Sequence, residues 1–142
     1  MEKEETSDDF LKVLKEIPDI DVNIGSNYFS GLENAYCREV KFFYKKLVSE
    51  CNRMSTYVEG GDYQELLIAV HSMKSSLATL GIIALSGVAA KLEVALKNGD
   101  TDYCEKHFQA FCERLLSLHE RLSIVFPDEE ALSGKKPEVN EG

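Results

Sequence analysis

His71 and Lys74, with the short side chain of Ser75 beside them, are the residues whose types and spacing could do chemistry in this 142-residue chain. Positions three and four apart share one side of a helix, so an imidazole, an ammonium group and a short side chain would lie together there. Histidine titrates close to neutral pH and can offer a ring nitrogen as a nucleophile. An ammonium group can stabilise the negative oxygens of a phosphoryl group in transit. The spacing therefore indicates phosphoryl chemistry, although a solvated helix face would also accommodate it.

The helix that carries His71 is predicted to turn this residue towards solvent. With about 100° per residue and Leu66 as the origin, the apolar stripe falls within about 40° of zero and His71 falls at about 140°. Lys74 falls at about 80° on the same wheel. Three short or polar side chains, those of Gln64, Ser75 and Ala78, fall between about 120° and 180° and are expected to leave the imidazole open to approach. Gln64 is also a possible hydrogen-bond neighbour of His71.

Apolar residues at helical spacing predict the elements that position this group. Residues 8–17 form a short leading helix that Pro18 ends, and residues 18–31 form a connecting loop with one helical turn around Tyr28. Longer stripes predict four helices, which run over about 32–58, from a cap at Asp62 to Leu80, from about Leu85 to a cap at Asn98, and over 101–125. The short links between them favour an all-α, antiparallel up-down-up-down four-helix bundle.

The chain is predicted to divide into a leading helix at 1–17, the bundle at 18–126 and a disordered tail at 127–142. The tail contains two prolines, two glycines and mostly charged side chains. Such a segment buries too little apolar surface to offset the entropy lost on ordering. A single domain of this length can bury one core.

Composition excludes several classes of function. A formal net charge of −9 repels a nucleic-acid backbone. No apolar run approaches the roughly 18 residues of a membrane span, and the acidic N-terminus lacks the apolar segment of a secretory signal. We therefore expect a soluble cytoplasmic protein with reduced cysteines in its core or at its boundary. Cys104 and His107 could share a helix face as two metal ligands, but no third ligand accompanies them, and no metal site is predicted.

The segment from His71 to Asp100 resembles the histidine-phosphotransfer (Hpt) family. It reads HSMKSSLATLG from His71 to Gly81, followed by LSGVAAKLEVALKNGD. Upstream, IPDIDVNIG at 17–25 and Tyr36 are similar to the lead-in of Hpt domains attached to bacterial hybrid sensor kinases, so that the resemblance spans about 17–125. One departure is Ser75, because many members carry glycine directly after the lysine, and this bears on the rate of transfer.

The resemblance implies that His71 accepts a phosphoryl group, at Nε2, from the aspartyl phosphate of a receiver domain and passes it to a second receiver. Lys74 would stabilise the phosphoryl charge, Ser75 and Ala78 would give clearance, and Gly81 would end the helix or permit a close approach to the next one. Mg²⁺ is expected on the partner receiver and no cofactor on this chain. Because no nucleotide-binding motif is present, the chain is expected to be a carrier and not an enzyme, and to receive its phosphoryl group through a sensor or hybrid kinase. It is also expected to be a monomer.

Two other readings stay open. A bundle of this kind could bind receiver domains and block them without carrying phosphate, although the presence of both His71 and Lys74 argues against it. Alternatively, the chain could be the phospho-accepting domain of a chemotaxis-type kinase, although its length and lead-in favour the hybrid-kinase type. The chain is equally consistent with a free-standing protein and with a fragment of a longer kinase.

Overall fold

The structure is a computed structural model that describes residues 7–127, and the predicted all-α fold is confirmed. No strand occurs within that range. The prediction of a disordered tail at 127–142 lies outside the described residues except for Pro127. The helices, in chain order, are α1 (Ser7–Leu14), α2 (Val22–Tyr28), α3 (Glu33–Gly60), α4 (Tyr63–Thr79), α5 (Ile83–Lys97) and α6 (Thr101–Val125).

The four long helices α3 to α6 enclose the core. Helix α4 contacts α3 and α5, and α6 contacts the same two helices, so that each of the four packs against two neighbours. Their apolar stripes point inward, as the helical spacing predicts. Helix α1 lies against α3 and α6, whereas α2 lies against α3 and α4. The bulkiest fully buried side chains include Tyr36, Tyr44, Phe111, Leu47, Met54, Leu66, Leu77, Leu92 and Leu115.

Helix α2 corrects the prediction for residues 18–31. A connecting loop with one turn around Tyr28 was expected there, but Val22–Tyr28 forms a seven-residue helix. Asp21 begins it, because its carboxylate accepts a hydrogen bond from the amide of Ile24 at 3.2 Å and so satisfies a backbone donor that the first helical turn leaves open. Few apolar residues recur at helical spacing in this segment, which is why periodicity did not reveal the helix.

The turn between α4 and α5 is braced by α2 and α3. Gly81 has a φ of +86°, and a Cβ at this position would clash with the carbonyl oxygen of Asp21. The amide of Asp21 in turn donates to the carbonyl of Gly81 at 2.8 Å. On the other side, the buried hydroxyl of Tyr36 donates to the carbonyl of Leu80 at 2.9 Å. Burial raises the pKa of this hydroxyl, which keeps it protonated and able to donate.

Two smaller expectations are also settled by the structure. Asp62 occupies the position before α4, but its side chain makes no capping hydrogen bond, so the predicted cap is wrong in that respect. The four cysteines, Cys37, Cys51, Cys104 and Cys112, are buried, as expected for core residues, and form no disulfide with one another. Within residues 7–127, no helix is both long enough and apolar enough to cross a membrane.

Candidate functional site

His71 lies in the middle of α4 and its side chain is 59% exposed. The predicted outward orientation is therefore confirmed. Of the side chains predicted to surround it, Gln64 and Ser75 are exposed and Ala78 is half-buried. This surface of α4 therefore leaves the imidazole accessible to a partner.

Glu93 on α5 is the residue that the sequence analysis missed. Its side chain is only 5% exposed, and Oε2 lies 2.6 Å from Nδ1 of His71. The other carboxylate oxygen, Oε1, accepts a hydrogen bond from Nζ of Lys74 at 2.5 Å. One buried carboxylate from α5 therefore holds both of the residues on α4 that were predicted to carry the chemistry.

The environment of Glu93 keeps the carboxylate ionised. The hydrogen bond from Lys74 lowers the pKa of Glu93 most, burial opposes this, and the hydrogen bond from His71 lowers it further, to about 2. An ionised carboxylate can only accept hydrogen bonds. The hydrogen between Nδ1 of His71 and Glu93 must then belong to the imidazole, and the lone pair of the neutral ring lies on Nε2, the nitrogen on the side of the ring away from Glu93.

The sequence of α5 places Glu93 against α4. On a wheel with about 100° per residue, Ser86 and Glu93 fall within about 20° of each other, at one edge of the apolar face of α5. They are also the buried polar residues among those described, and the hydroxyl of Ser86 donates to the carbonyl of Lys74 at 3.1 Å. Two polar residues seven apart at the edge of an apolar face were thus a signal that could have revealed the contact.

The predicted site residues other than His71 have different contacts. The ammonium group of Lys74 is bound to Glu93, so Lys74 contributes its positive charge to the site as one partner of an ion pair. The carbonyl of Ser75 accepts a hydrogen bond from Thr79 at 2.8 Å. No hydrogen bond joins Gln64 to His71 within the described residues, contrary to the expectation of a neighbour. Gly81 follows the end of α4, as expected, and the nearest atom to a Cβ at this position would be the carbonyl oxygen of Asp21.

The other two histidines have aromatic neighbours. His107 is exposed on α6, and its ring centroid lies 4.2 Å from that of Tyr103. His119 is half-buried and stacks on Tyr44, with ring centroids 4.6 Å apart. Both histidines therefore have the surroundings of structural or solvated residues.

The chain matches the family model described as Hpt domain over residues 32–123. This range covers α3 to α5 and all but the last two residues of α6, and with them His71, Lys74 and Glu93. The chain therefore belongs to the Hpt family, whose members carry out histidine phosphotransfer in phosphorelays. The match begins after the lead-in segment 17–25, so the likeness of that segment to hybrid-kinase domains stays a prediction. No curated protein and no solved structure matches the chain.

Proposed function

We propose that this protein is a phosphoryl carrier in which Nε2 of His71 takes a phosphoryl group from the aspartyl phosphate of one receiver domain and delivers it to the aspartate of another. The observation that carries the proposal is the hydrogen bond between Nδ1 of His71 and the buried carboxylate of Glu93. It orients an accessible imidazole and selects the tautomer whose lone pair faces outward. A solvated surface histidine has no such fixed tautomer.

The transfer step uses the lone pair of His71 and the charges of Glu93 and Lys74. The lone pair of Nε2 attacks phosphorus, the bond between phosphorus and the aspartyl oxygen breaks, and the aspartate leaves as a carboxylate. Nδ1 keeps its hydrogen, so the ring becomes positively charged while it carries the phosphoryl group. Glu93 lies against this ring with a full negative charge and stabilises it. Lys74 keeps Glu93 ionised and adds positive charge to the site. The reverse sequence returns the group to a receiver.

The remaining machinery is assigned to the partners. Mg²⁺ would be bound by the receiver domain, and the phosphoryl group would enter the relay through a sensor or hybrid kinase, since no nucleotide-binding motif was found in this sequence. In this proposal the chain is a carrier and not an enzyme, works as a monomer in the cytoplasm, and binds each receiver over the surface around His71.

We further infer that α3 to α6 form an up-down-up-down bundle. The connections between successive helices are short, which favours antiparallel neighbours. The hydrogen bond from Tyr36, near the start of α3, to Leu80, just after α4, supports opposite directions for these two helices. The hydrogen bond from Tyr63, at the start of α4, to Glu105, near the start of α6, supports a common direction for that pair.

Label transfer from phosphorylated receiver domains tests the function. Receivers charged with labelled phosphate are mixed with the wild-type protein, and the label is followed on the chain and located by mass spectrometry. Wild-type protein is expected to be labelled at His71. The His71→Gln variant should stay unlabelled, whereas His107→Gln, which removes another exposed histidine, should be labelled like wild type.

Other outcomes would support the alternatives. Receivers that bind the wild-type protein without labelling it would contradict the relay and favour a blocking module. Labelling of His71 by an ATP-dependent kinase domain, with no transfer to or from any receiver, would favour the phospho-accepting domain of a chemotaxis-type kinase.

A further inference from the structure

Lys97 is a second lysine at Glu93. Its Nζ lies 3.4 Å from Oε2, the same oxygen that contacts Nδ1 of His71. Lys97 follows Glu93 by four residues on α5, and its side chain is 61% exposed. A separation of 3.4 Å is longer than the roughly 2.7–2.9 Å of a hydrogen bond from an ammonium group to a carboxylate. The ammonium group of Lys97 is therefore close to the imidazole and weakly held.

Lys74 is held more firmly than Lys97. Its side chain is 31% exposed, its ammonium group binds Oε1 at 2.5 Å, and its hydrogen bond is the largest cause of the lowered pKa of Glu93. When one partner of a buried ion pair is removed, the charge that stays buried is poorly compensated. A move of Lys74 from Glu93 to a phosphoryl group would therefore weaken the anchor of His71 at the moment of transfer, whereas a move of Lys97 would cost far less.

We propose that the ammonium group of Lys97 moves from Glu93 to the phosphoryl group as this group is transferred to His71, while Lys74 remains bound to Glu93. The proposal rests on the function proposed above, with phosphorylation at Nε2. A phosphoryl group adds up to about two negative charges to a ring that Lys97 already approaches through their shared carboxylate oxygen. The flexible stem of lysine, with its strongly hydrated ammonium group, allows the charge to relocate.

The test uses the whole chain and phosphoramidate, a small anionic phosphoryl donor. The initial rate of phosphohistidine formation at His71 is measured by mass spectrometry. Because it lacks one nearby cation, Lys97→Gln should form phosphohistidine about 3- to 10-fold more slowly than wild type. Added salt should reduce this difference by screening the charge. Lys97→Arg keeps the charge and should restore most of the rate. Lys91→Gln is the matched control, because Lys91 is exposed on α5 but about 120° around the helix from Lys97.

A second measurement separates a role in the phosphorylated state from a general effect of charge. The side-chain ammonium signals of Lys97 and Lys74 are followed by ¹⁵N NMR before and after loading. The signal of Lys97 is expected to move, and that of Lys74 should stay near its initial position. Equal loading of Lys97→Gln and wild type, equal slowing of Lys91→Gln, or movement of the Lys74 signal alone would overturn this inference and leave the proposed function standing. Absence of phosphohistidine at His71 in wild type would instead overturn the proposed function.

Discussion

The contact between α4 and α5 and the contact between α3 and α6 bury different kinds of side chain. Between α4 and α5, a carboxylate from Glu93 is buried against a histidine ring and two lysines. Between α3 and α6, Tyr44 stacks on His119, and Cys51 and Cys112 are buried. One helix contact therefore holds charge, and the other holds aromatic and sulfur-containing side chains.

The difference shows where this bundle departs from packing for stability alone. Apolar residues in place of a buried ion pair often stabilise a protein as well or better, because taking charges out of water is costly. Glu93 is therefore better explained by its effect on His71 than by its contribution to the fold. His119, which stacks on a ring within the bundle, has the surroundings of a packing residue.

Replacement of the two histidines should give the largest contrast between the contacts. His71→Gln removes the nucleophile and is expected to abolish phosphoryl transfer. His119→Gln loses ring stacking, which should lower the free energy of unfolding by about 0.5–1.5 kcal/mol, but it should transfer at the wild-type rate. Transfer kinetics and thermal unfolding measure the two effects. Equal loss of transfer in both variants would break the distinction between the contacts.

Glu93→Gln should give the next largest effect. The amide retains the size of the side chain but loses the charge that compensates the positive ring, and it no longer requires Nδ1 to carry the hydrogen. Hydrogen-bond partners that orient metal-ligating histidines typically contribute about 10- to 100-fold, and we expect a loss of similar size in the transfer rate. The tautomer of His71, measured by imidazole ¹⁵N chemical shifts, should change from one form to a mixture. An unchanged tautomer with a reduced rate would contradict the orienting role.

Periodicity predicted the parts of the fold that depend on one face of one helix. Thr101–Val125 was predicted from its apolar spacing alone, and so was the outward direction of His71, because both depend on local geometry. Helix α2 was missed because it spans only seven residues and depends on Asp21 and on contacts with the α4–α5 turn. Such a short segment gains its stability from tertiary packing and not from its own sequence pattern.

The candidate site was predictable only on the α4 side. His71 and Lys74 share a helix, so their proximity follows from their spacing. Glu93 lies 22 residues beyond His71. Its position beside Ser86 at the edge of the apolar face of α5 could have marked it as a buried polar residue, but its pairing with His71 depends on how α5 packs and rotates against α4, which the spacing within either helix does not encode. Lys97 was missed for the same reason, since its importance depends on Glu93.

A core substitution in α6 tests whether the stability of the bundle and the rate of phosphoryl transfer are independent. Leu115 is fully buried, and Leu115→Ala should lower the free energy of unfolding by about 2–5 kcal/mol through lost burial and a residual cavity. Under conditions where the variant remains folded, its rate of phosphoryl transfer should match wild type. Denaturant unfolding and transfer kinetics check the two parts. A rate that falls with stability would mean that the site depends on the whole bundle and not on the α4–α5 contact.

The last expected effect concerns the stability of the fold in acid and not the transfer rate. The pKa of Glu93 is lowered from its ordinary value of 4.5 to about 2. The stabilisation from its ionised form is therefore complete above about pH 4.5 and is lost as the pH falls from there towards about 2. Glu93→Gln lacks this term, so the difference in free energy of unfolding between wild type and variant should be constant above pH 4.5. Below it, the difference should shrink by at most about 1.4 kcal/mol per pH unit.

The matched control for this acid titration is Glu50→Gln. Glu50 forms an ion pair with Arg53 on the exposed surface of α3, where such pairs contribute about 0–1 kcal/mol. Its difference from wild type should stay small over the whole pH range, measured by urea unfolding at each pH. If the curve for Glu93→Gln instead runs parallel to wild type between pH 4.5 and 2, Glu93 does not stabilise the fold through its charge, and the contrast between the two helix contacts would concern chemistry alone.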